Sequence, residues 1–334
     1  MINITFFQRK PYNIHYSIEM LFEAIKCYLK DSVQTNVWVS PWYSNGFIDR
    51  VLMIINAKKH ATQINHITGD IHFIALGLRK KNTILTIHDI GFLKEQKNPI
   101  KKWLFKKIWI TLPIMCADVV TVVSEATKRD LQQYIKTSTK IKVIGNFISE
   151  NFKQSNKIFN CEKPQLLQIG STPNKNLERV IEAIKEINCK LNIIGYPTVK
   201  QIHMLEENNI DFCIYSGLSE SELIDQYINC DILVFVSLNE GFGLPILEAQ
   251  VVGRAVITSN ISSMPEVAGN GAHFVDPYNI NDIKNAIRYV INNSEYREII
   301  INNGYNNSSK YSLKNIADQY YSIYKEMARK TCVE

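Results

Sequence analysis

Glu240 and Glu248 stand on either side of a turn bracketed by Gly241 and Gly243, in the run Ser237-Leu238-Asn239-Glu240-Gly241-Phe242-Gly243-Leu244-Pro245-Ile246-Leu247-Glu248-Ala249. Residues 231–236 before it read as a buried strand, and the apolar residues 245–252 after it read as a helix. A strand, a glycine turn and a helix in that order present unpaired backbone N–H groups at the helix start, where they can hold a phosphate. The two carboxylates would flank that anion, one in the turn and one inside the helix. Pro245 suits the first helical position, where its missing N–H costs nothing.

Elements on both sides must position this turn. The strands read from the sequence are 3–7, 36–39, 63–67, 83–87, 119–123 and 141–144 in the first half. In the second half they are 166–169, 191–194, 212–215, 232–236, 255–258 and 273–275. Helical periodicity covers 18–29 after Ser17, 125–134 after Ser124, 177–187, 220–228, 282–291 and 316–327. Strands alternating with helices imply parallel sheets covered on both faces. Residues 150–163 are polar and aperiodic and read as a linker. The expected class is therefore α/β, with two doubly wound Rossmann-like domains facing a cleft.

A chain of 334 residues, 46% apolar, suffices for two ordinary cores. Its seven cysteines lie far apart, which indicates neither a zinc site nor a disulfide framework and fits a reducing, cytoplasmic setting. No signal peptide and no clean apolar span of membrane length is read. Charge is uneven: residues 1–160 hold 23 Lys and Arg against 11 Asp and Glu, whereas 161–334 hold 15 against 21. A basic first half points to an anionic partner there. The alternative is a coding bias toward Lys, Asn and Ile. No nucleic-acid motif accompanies the charge, so nucleic acid is not an expected partner.

Glu240 and Glu248 in E-G-F-G-L-P-I-L-E-A resemble the E-x7-E signature of retaining glycosyltransferases of family 4, which have the GT-B fold. Leu166-Leu167-Gln168-Ile169-Gly170-Ser171-Thr172-Pro173-Asn174-Lys175-Asn176-Leu177 resembles the opening of that family's donor domain. Residues 231–237, 253–259 and Pro265-Glu266-Val267 are similar to later blocks. Tyr311-Ser312 and the final helix resemble its closing segment, which in the family crosses back to the first domain. His88-Asp89 and Val123-Ser124-Glu125 resemble weaker blocks. Gln8-Arg9-Lys10-Pro11 with Ser17-Ile18-Glu19 is similar to a bacterial surface-polysaccharide subgroup.

The resemblance implies an acceptor-side domain over 1–155, with 313–334 packing back on it, and a nucleotide-sugar donor domain over 156–312. It gives Glu240 the hydroxyls of the donor sugar and Glu248 the ribose. Gly241, Phe242, Gly243 and Leu244 would lie along sugar and phosphates. Lys175 would offset the departing diphosphate. Many relatives carry an arginine where Ser171 stands, so Ser171 and Thr172 would donate neutral hydrogen bonds instead, another cation such as Arg254 would reach in, or activity would be lowered. Tyr215, Leu218 and Leu223 would border the base. His88 would contact the donor sugar or reacting centre; a core or capping histidine is the other reading. Ser17 could aim N–H groups at phosphate, although the glycines usual in that loop are replaced by Asn13-Ile14-His15-Tyr16. His66, His72 and Glu125 are further cleft candidates. Neither a metal nor another cofactor is expected, the nucleotide diphosphate sugar being a substrate.

Residues 94–109 interleave Lys101, Lys102, Lys106 and Lys107 with Trp103, Leu104, Phe105, Ile108 and Trp109. At helical spacing this suits a membrane interface, and an anionic inner leaflet near a lipid-linked acceptor is a candidate partner. An ordinary domain helix with a lysine-rich wet face is the alternative. The expected activity is thus retaining, metal-independent transfer of a hexosyl-type unit to a glycan or lipid-linked acceptor in bacterial surface-polysaccharide assembly. The rivals are a nucleotide-sugar epimerase and a catalytically silent relative that binds nucleotide sugar or a partner.

Overall fold

The computed structural model describes residues 1–11, 17–91, 93, 96 and 98–331. Two compact units emerge: Met1–Phe147 with Leu313–Glu334, and Ile148–Ser312.

Unit one carries six parallel strands: β1 (Ile2–Gln8), β2 (Val33–Val39), β3 (Ile64–Ile67), β4 (Thr83–Ile87), β5 (Val119–Val122) and β6 (Lys140–Val143). Their order across the sheet is β2-β1-β3-β4-β5-β6. Alternation along each strand feeds two cores. Phe7, Leu85 and Val120 enter one, and Phe6, Ile84 and Val119 enter the other. The first core is covered by α2 (Phe47–Lys59), a 3₁₀ segment (His72–Gly77) and the helical stretch that begins at Pro99. The second is covered by α1 (Ser17–Leu29) and the last helix, Leu313–Thr331.

That last helix does cross back to unit one. It buries Ile316, Tyr320, Ile323, Tyr324 and Met327, a stripe at helical spacing. Each such side chain contributes roughly 1.5–3 kcal/mol when fully buried. The helix is also fixed by polar contacts. Tyr324 Oη lies 2.8 Å from His66 Nδ1, and His66 Nε2 lies 2.7 Å from Thr86 Oγ1. Burial pushes the His66 imidazole down to about 3, so it is neutral. His66 is therefore a core residue rather than a site residue.

The stretch after Asn98 is not one regular helix. It runs as α3 (Pro99–Phe105), a π turn (Lys106–Thr111) and α4 (Leu112–Met115). The π turn rotates Trp109 inward, where its Nε1 donates to the Asp70 carbonyl at 3.2 Å and its ring meets Phe73 and Phe105. Helix α5 (Glu125–Tyr134) starts as the sequence predicts, with Ser124 Oγ accepting from Thr127 N at 3.0 Å. Glu125 pairs with Lys128.

Unit two repeats the layered plan with β7 (Gln165–Ile169), β8 (Lys190–Ile194), β9 (Asp211–Tyr215), β10 (Ile232–Phe235), β11 (Ala255–Ser259) and β12 (His273–Val275). All pairings are parallel and the order is β12-β11-β10-β7-β8-β9. The helices are α6 (Leu177–Ile184), α7 (Val199–Glu207), α8 (Glu220–Asn229), α9 (Leu244–Val252), α10 (Met264–Ala268), α11 (Ile280–Asn292) and α12 (Ser294–Ser308), so the crossing-back helix is α13. Residues 150–163, read as a linker, are instead a strap packed on unit two. Phe152 is buried against Tyr227, Lys157 pairs with the buried Asp231 at 2.5 Å, and Phe159 lies under Arg297. Polar composition hides such packing because its few anchors have no period.

Candidate active site

The direction of strand addition in unit two reverses between β7 and β10. In open parallel sheets ligands bind beyond the carboxyl ends of the strands at that reversal. The β7 turn supplies Gly170 to Asn176, and the β10 turn supplies Ser237 to Gly243. Lys175 Nζ from the first and Glu240 Oε1 from the second form an ion pair at 2.6 Å, with side chains 21% and 14% exposed.

Local chemistry explains how both turns hold their shape. Gly170 has φ +86°, and a Cβ there would lie 2.7 Å from Lys175 Cγ, so glycine lets the lysine stem lie across the turn. Lys175 Nζ then sits 4.8 Å from the centre of the Phe235 ring. Gln168 Nε2 donates to the Lys175 carbonyl at 3.0 Å. Asn176 adopts the left-handed conformation, and its Nδ2 donates to the carbonyls of Val236 and Pro277. Leu238 N donates to the Asn174 carbonyl at 2.7 Å and ties the turns together. Ser262 and Ser263 hydroxyls donate to the Glu240 carbonyl, at 2.8 and 3.0 Å.

Helix α9 begins just past Gly243, which is left-handed with φ +105°. Gly241 and Phe242 lead into it, Leu244 is its first residue, and Pro245 occupies the first turn. Its opening N–H groups lack intrahelical acceptors, apart from Ile246 N, which reaches the Gly243 carbonyl. Glu248 lies one turn in. Its Oε2 accepts from the buried Tyr227 hydroxyl at 2.5 Å. Burial pushes the Glu248 carboxyl up to about 7; the Tyr227 bond pulls it down and Glu220 adds to the rise. Glu220 is itself held by Ser149 and Asn151.

Lys175 and Glu240 are thus brought together, while Glu248 faces Tyr227. Ser171 and Thr172 line a cavity of about 500 Å³ with Pro173, Asn176, Arg179, Tyr196 and Gln201. The Thr172 hydroxyl donates to Asn174 Oδ1 at 2.7 Å. Arg254 does not reach in: its buried guanidinium donates to the carbonyls of Tyr227, Ile228 and Ser155, among others. Tyr215 ends β9, with its carbonyl accepting from Gly195 N, and Leu218 and Leu223 are half-buried beyond it.

In unit one, His88 follows β4, and its Nε2 lies 3.0 Å from the Thr68 carbonyl. Burial lowers its pKa, against the opposing pull of Asp70, the Thr68 carbonyl and Asp89. His72 is buried with Nδ1 against the Trp109 carbonyl and Nε2 unpartnered. Ser17 opens α1, whereas Asn13-Ile14-His15-Tyr16 lies outside the described residues. Lys101, Trp103 and Lys107 are exposed, and Lys102 and Lys106 are partly covered. The Lys94 end of that stretch is likewise outside the description. Sequence reasoning missed Tyr227, Gln168, Asn176 and the two serines. Asn176 follows Lys175 directly, and the Ser262-Ser263 pair just precedes Pro265-Glu266-Val267.

HepE of Anabaena, solved with UDP and glucose, superposes over 98% of this chain and 100% of its own, with a TM-score of 0.80 at 14% identity. The fold is GT-B. The model described as Glycosyl transferases group 1 matches residues 149–307, and that described as Glycosyltransferase Family 4 matches residues 31–152. Between them they span both units, and the chain belongs to the family 4, group 1 glycosyltransferases. The serotype-specific mannosyltransferase WbdA of Escherichia coli is 26% identical over 228 residues, covering 60% of this chain and 28% of WbdA. This chain therefore matches little more than a quarter of that relative's length. The O-antigen chain mannosyltransferase B of Escherichia coli is 23% identical over 273 residues, 74% of this chain and 71% of its own.

Proposed function

We propose that the protein moves a hexosyl unit, mannose first among the candidates, from a nucleotide diphosphate sugar to a glycan or lipid-linked acceptor of a bacterial surface polysaccharide, with retention at the anomeric carbon. The observation that carries the reading is the Lys175–Glu240 pair at the strand reversal, beside the α9 start. Two relatives named as mannosyltransferases support the sugar, and the UDP and glucose held by HepE support the donor class.

In this reading the diphosphate draws the Lys175 ammonium from Glu240, and Glu240 turns to the donor sugar's hydroxyls. Gly241, Phe242, Gly243 and Leu244 line the sugar and phosphates with backbone N–H groups. Ser171 and Thr172 add neutral hydrogen bonds. Glu248, held by Tyr227, accepts from the ribose, and Tyr215, Leu218 and Leu223 border the base. His88 is assigned to the reacting centre. The bond from C1 to the diphosphate oxygen breaks, and the nucleoside diphosphate leaves with the electron pair. The acceptor hydroxyl attacks from the same face and gives its proton to the leaving phosphate. Lys175 and the helix start balance the departing charge, so the reading needs no metal.

Purified protein incubated with labelled GDP-mannose, UDP-glucose, ADP-glucose and dTDP-glucose tests this. Hydrolysis or transfer that Glu240→Ala abolishes is expected. Tight donor binding with neither reaction would instead identify a silent relative.

A bilayer surface is the proposed setting. Among the described residues no helix is long and apolar enough to cross a membrane. Helices α2 and α3 nevertheless expose Phe47, Ile48, Ile55, Ile100 and Trp103, the last at 61%, and Lys58, Lys59, Lys101 and Lys107 in or just after these helices are exposed too. Exposed apolar side chains and lysines on the same helices suit an anionic interface. Co-sedimentation with phosphatidylglycerol vesicles should weaken when Lys101, Lys102, Lys106 and Lys107 are replaced by Gln. Unchanged binding refutes this setting.

A further inference from the structure

Unit one has its own strand reversal, between β1 and β3. A cavity of about 240 Å³ opens there, lined by the residues that follow β1, β2 and β3. Three aromatic side chains border it, Trp42, Tyr43 and Trp109, together with Arg9, Lys10 and Asp70. It is a built arrangement. Arg9 Nε meets Glu19 at 2.9 Å, and its Nη1 meets Asp70 at 2.9 Å. Lys10 Nζ stands 4.5 Å from the centre of the Tyr43 ring and donates to the Pro41 carbonyl. The Arg50 guanidinium stacks 4.5 Å from the centre of the Trp109 ring, while the Trp109 Nε1 proton goes to the Asp70 carbonyl.

We propose that this cavity holds one neutral pyranose ring, the terminal residue of the acceptor. Its size excludes a nucleotide sugar and matches a single ring, since sites for drug-sized ligands start near 300 Å³. Its chemistry is mixed. Indole and phenol surfaces suit the C–H face of a pyranose. Asp70 accepts from hydroxyls, and Arg9 and Lys10 donate to them. An isolated phosphate fits less well, because two carboxylates already match the Arg9 charge and Asp70 would repel the anion. The pyranose assignment stands on unit one alone. Only its label as acceptor rests on the function proposed above.

Saturation-transfer NMR on the intact protein tests it, with methyl α-D-mannopyranoside as the sugar probe and inorganic pyrophosphate as the anionic one. Saturable sugar binding is expected in the millimolar range. Asp70→Asn, at an exposed position, and Tyr43→Leu should each weaken it about tenfold, as removal of a charged hydrogen bond or a stacking ring does. Circular dichroism should stay unchanged, and Glu240→Gln should leave sugar binding intact. In turnover assays Tyr43→Leu should raise the acceptor KM and leave donor hydrolysis unaltered. Absence of sugar binding, its survival in both pocket variants, its loss in Glu240→Gln alone, or pyrophosphate occupying the cavity instead would each overturn the proposal. A protein that binds the sugar through Asp70 and Tyr43 yet turns over no donor would keep this inference and sink the proposed transfer.

Discussion

Lys175→Met and Glu240→Gln, made singly and together, measure how far one ion pair serves both folding and chemistry. At 2.6 Å the gross attraction is about 6 kcal/mol for an effective dielectric of 20. Desolvation of two ions that are 21% and 14% exposed removes most of that. Exposed pairs couple by roughly 0.2–1 kcal/mol, whereas breaking a buried pair costs about 3–5 kcal/mol. This pair lies between the two, which places its coupling at about 2 kcal/mol. In a unit of this size that corresponds to a fall of roughly 4–8 °C in Tm. Lys175→Met should cost more than Glu240→Gln, because Met leaves the carboxylate unpaired while Gln still accepts from the ammonium. Turnover should fall by about 10²–10³ in Lys175→Met, as when one preorganised donor is lost from a charge-stabilising site. Thermal unfolding of the four proteins, with initial rates alongside, provides the cycle. A coupling below about 0.5 kcal/mol, or a Lys175→Met kcat within about threefold of the parent, would refute the reasoning.

Glu248 sets a pH dependence with a defined sign. Its folded value of about 7 lies above the usual 4.5, so the folded chain keeps a proton that the unfolded chain releases between those values, and stability falls as pH rises through that window. Glu248→Gln should therefore stabilise above pH 7, by about 3 kcal/mol at most, with the gain vanishing near pH 4.5, as urea titrations at several pH values will show. Donor affinity should fall as pH drops below about 7, because ribose hydroxyls need the ionised acceptor, and Glu248→Gln should remove that slope in calorimetric titration. Gly170→Ala should cost roughly 1–2 kcal/mol from its positive φ alone and lower kcat further by displacing the Lys175 stem; a variant with parental Tm and rate would show the turn to be tolerant. Tyr324→Phe leaves buried His66 without its Nδ1 partner, at about 1–3 kcal/mol, and hydrogen exchange should quicken along α13 before it does in unit two.

Much of the architecture was readable from residue type. Strands buried on both faces, such as β4, β5 and β10, are runs of apolar residues and threonine without a wet face, and the helices between them carry a clear period. The turn that presents Glu240 announced itself through Gly243, whose φ of +105° few other residues tolerate, and through Pro245 in the first helical turn. What escaped was non-local. The contact of Tyr227 with Glu248 depends on α8 packing beside α9, which no window of sequence contains. The π turn inverts the part of Trp109 because one extra residue per turn defeats the period used to find a wet and a dry face. Arg254 reads as a free cation by type, yet it closes carbonyls at helix ends.

Unit one is interrupted in the chain: 148–312 is translated before α13 exists. Until that helix emerges from the ribosome, the groove over Phe6, Phe22 and His66 stays uncovered while unit two is already free to condense. Maturation of the nascent polypeptide is thus ordered, with the half that is made first being the half that finishes last. An amber codon just ahead of Leu313 should consequently yield a chaperone-bound product rather than a shorter enzyme.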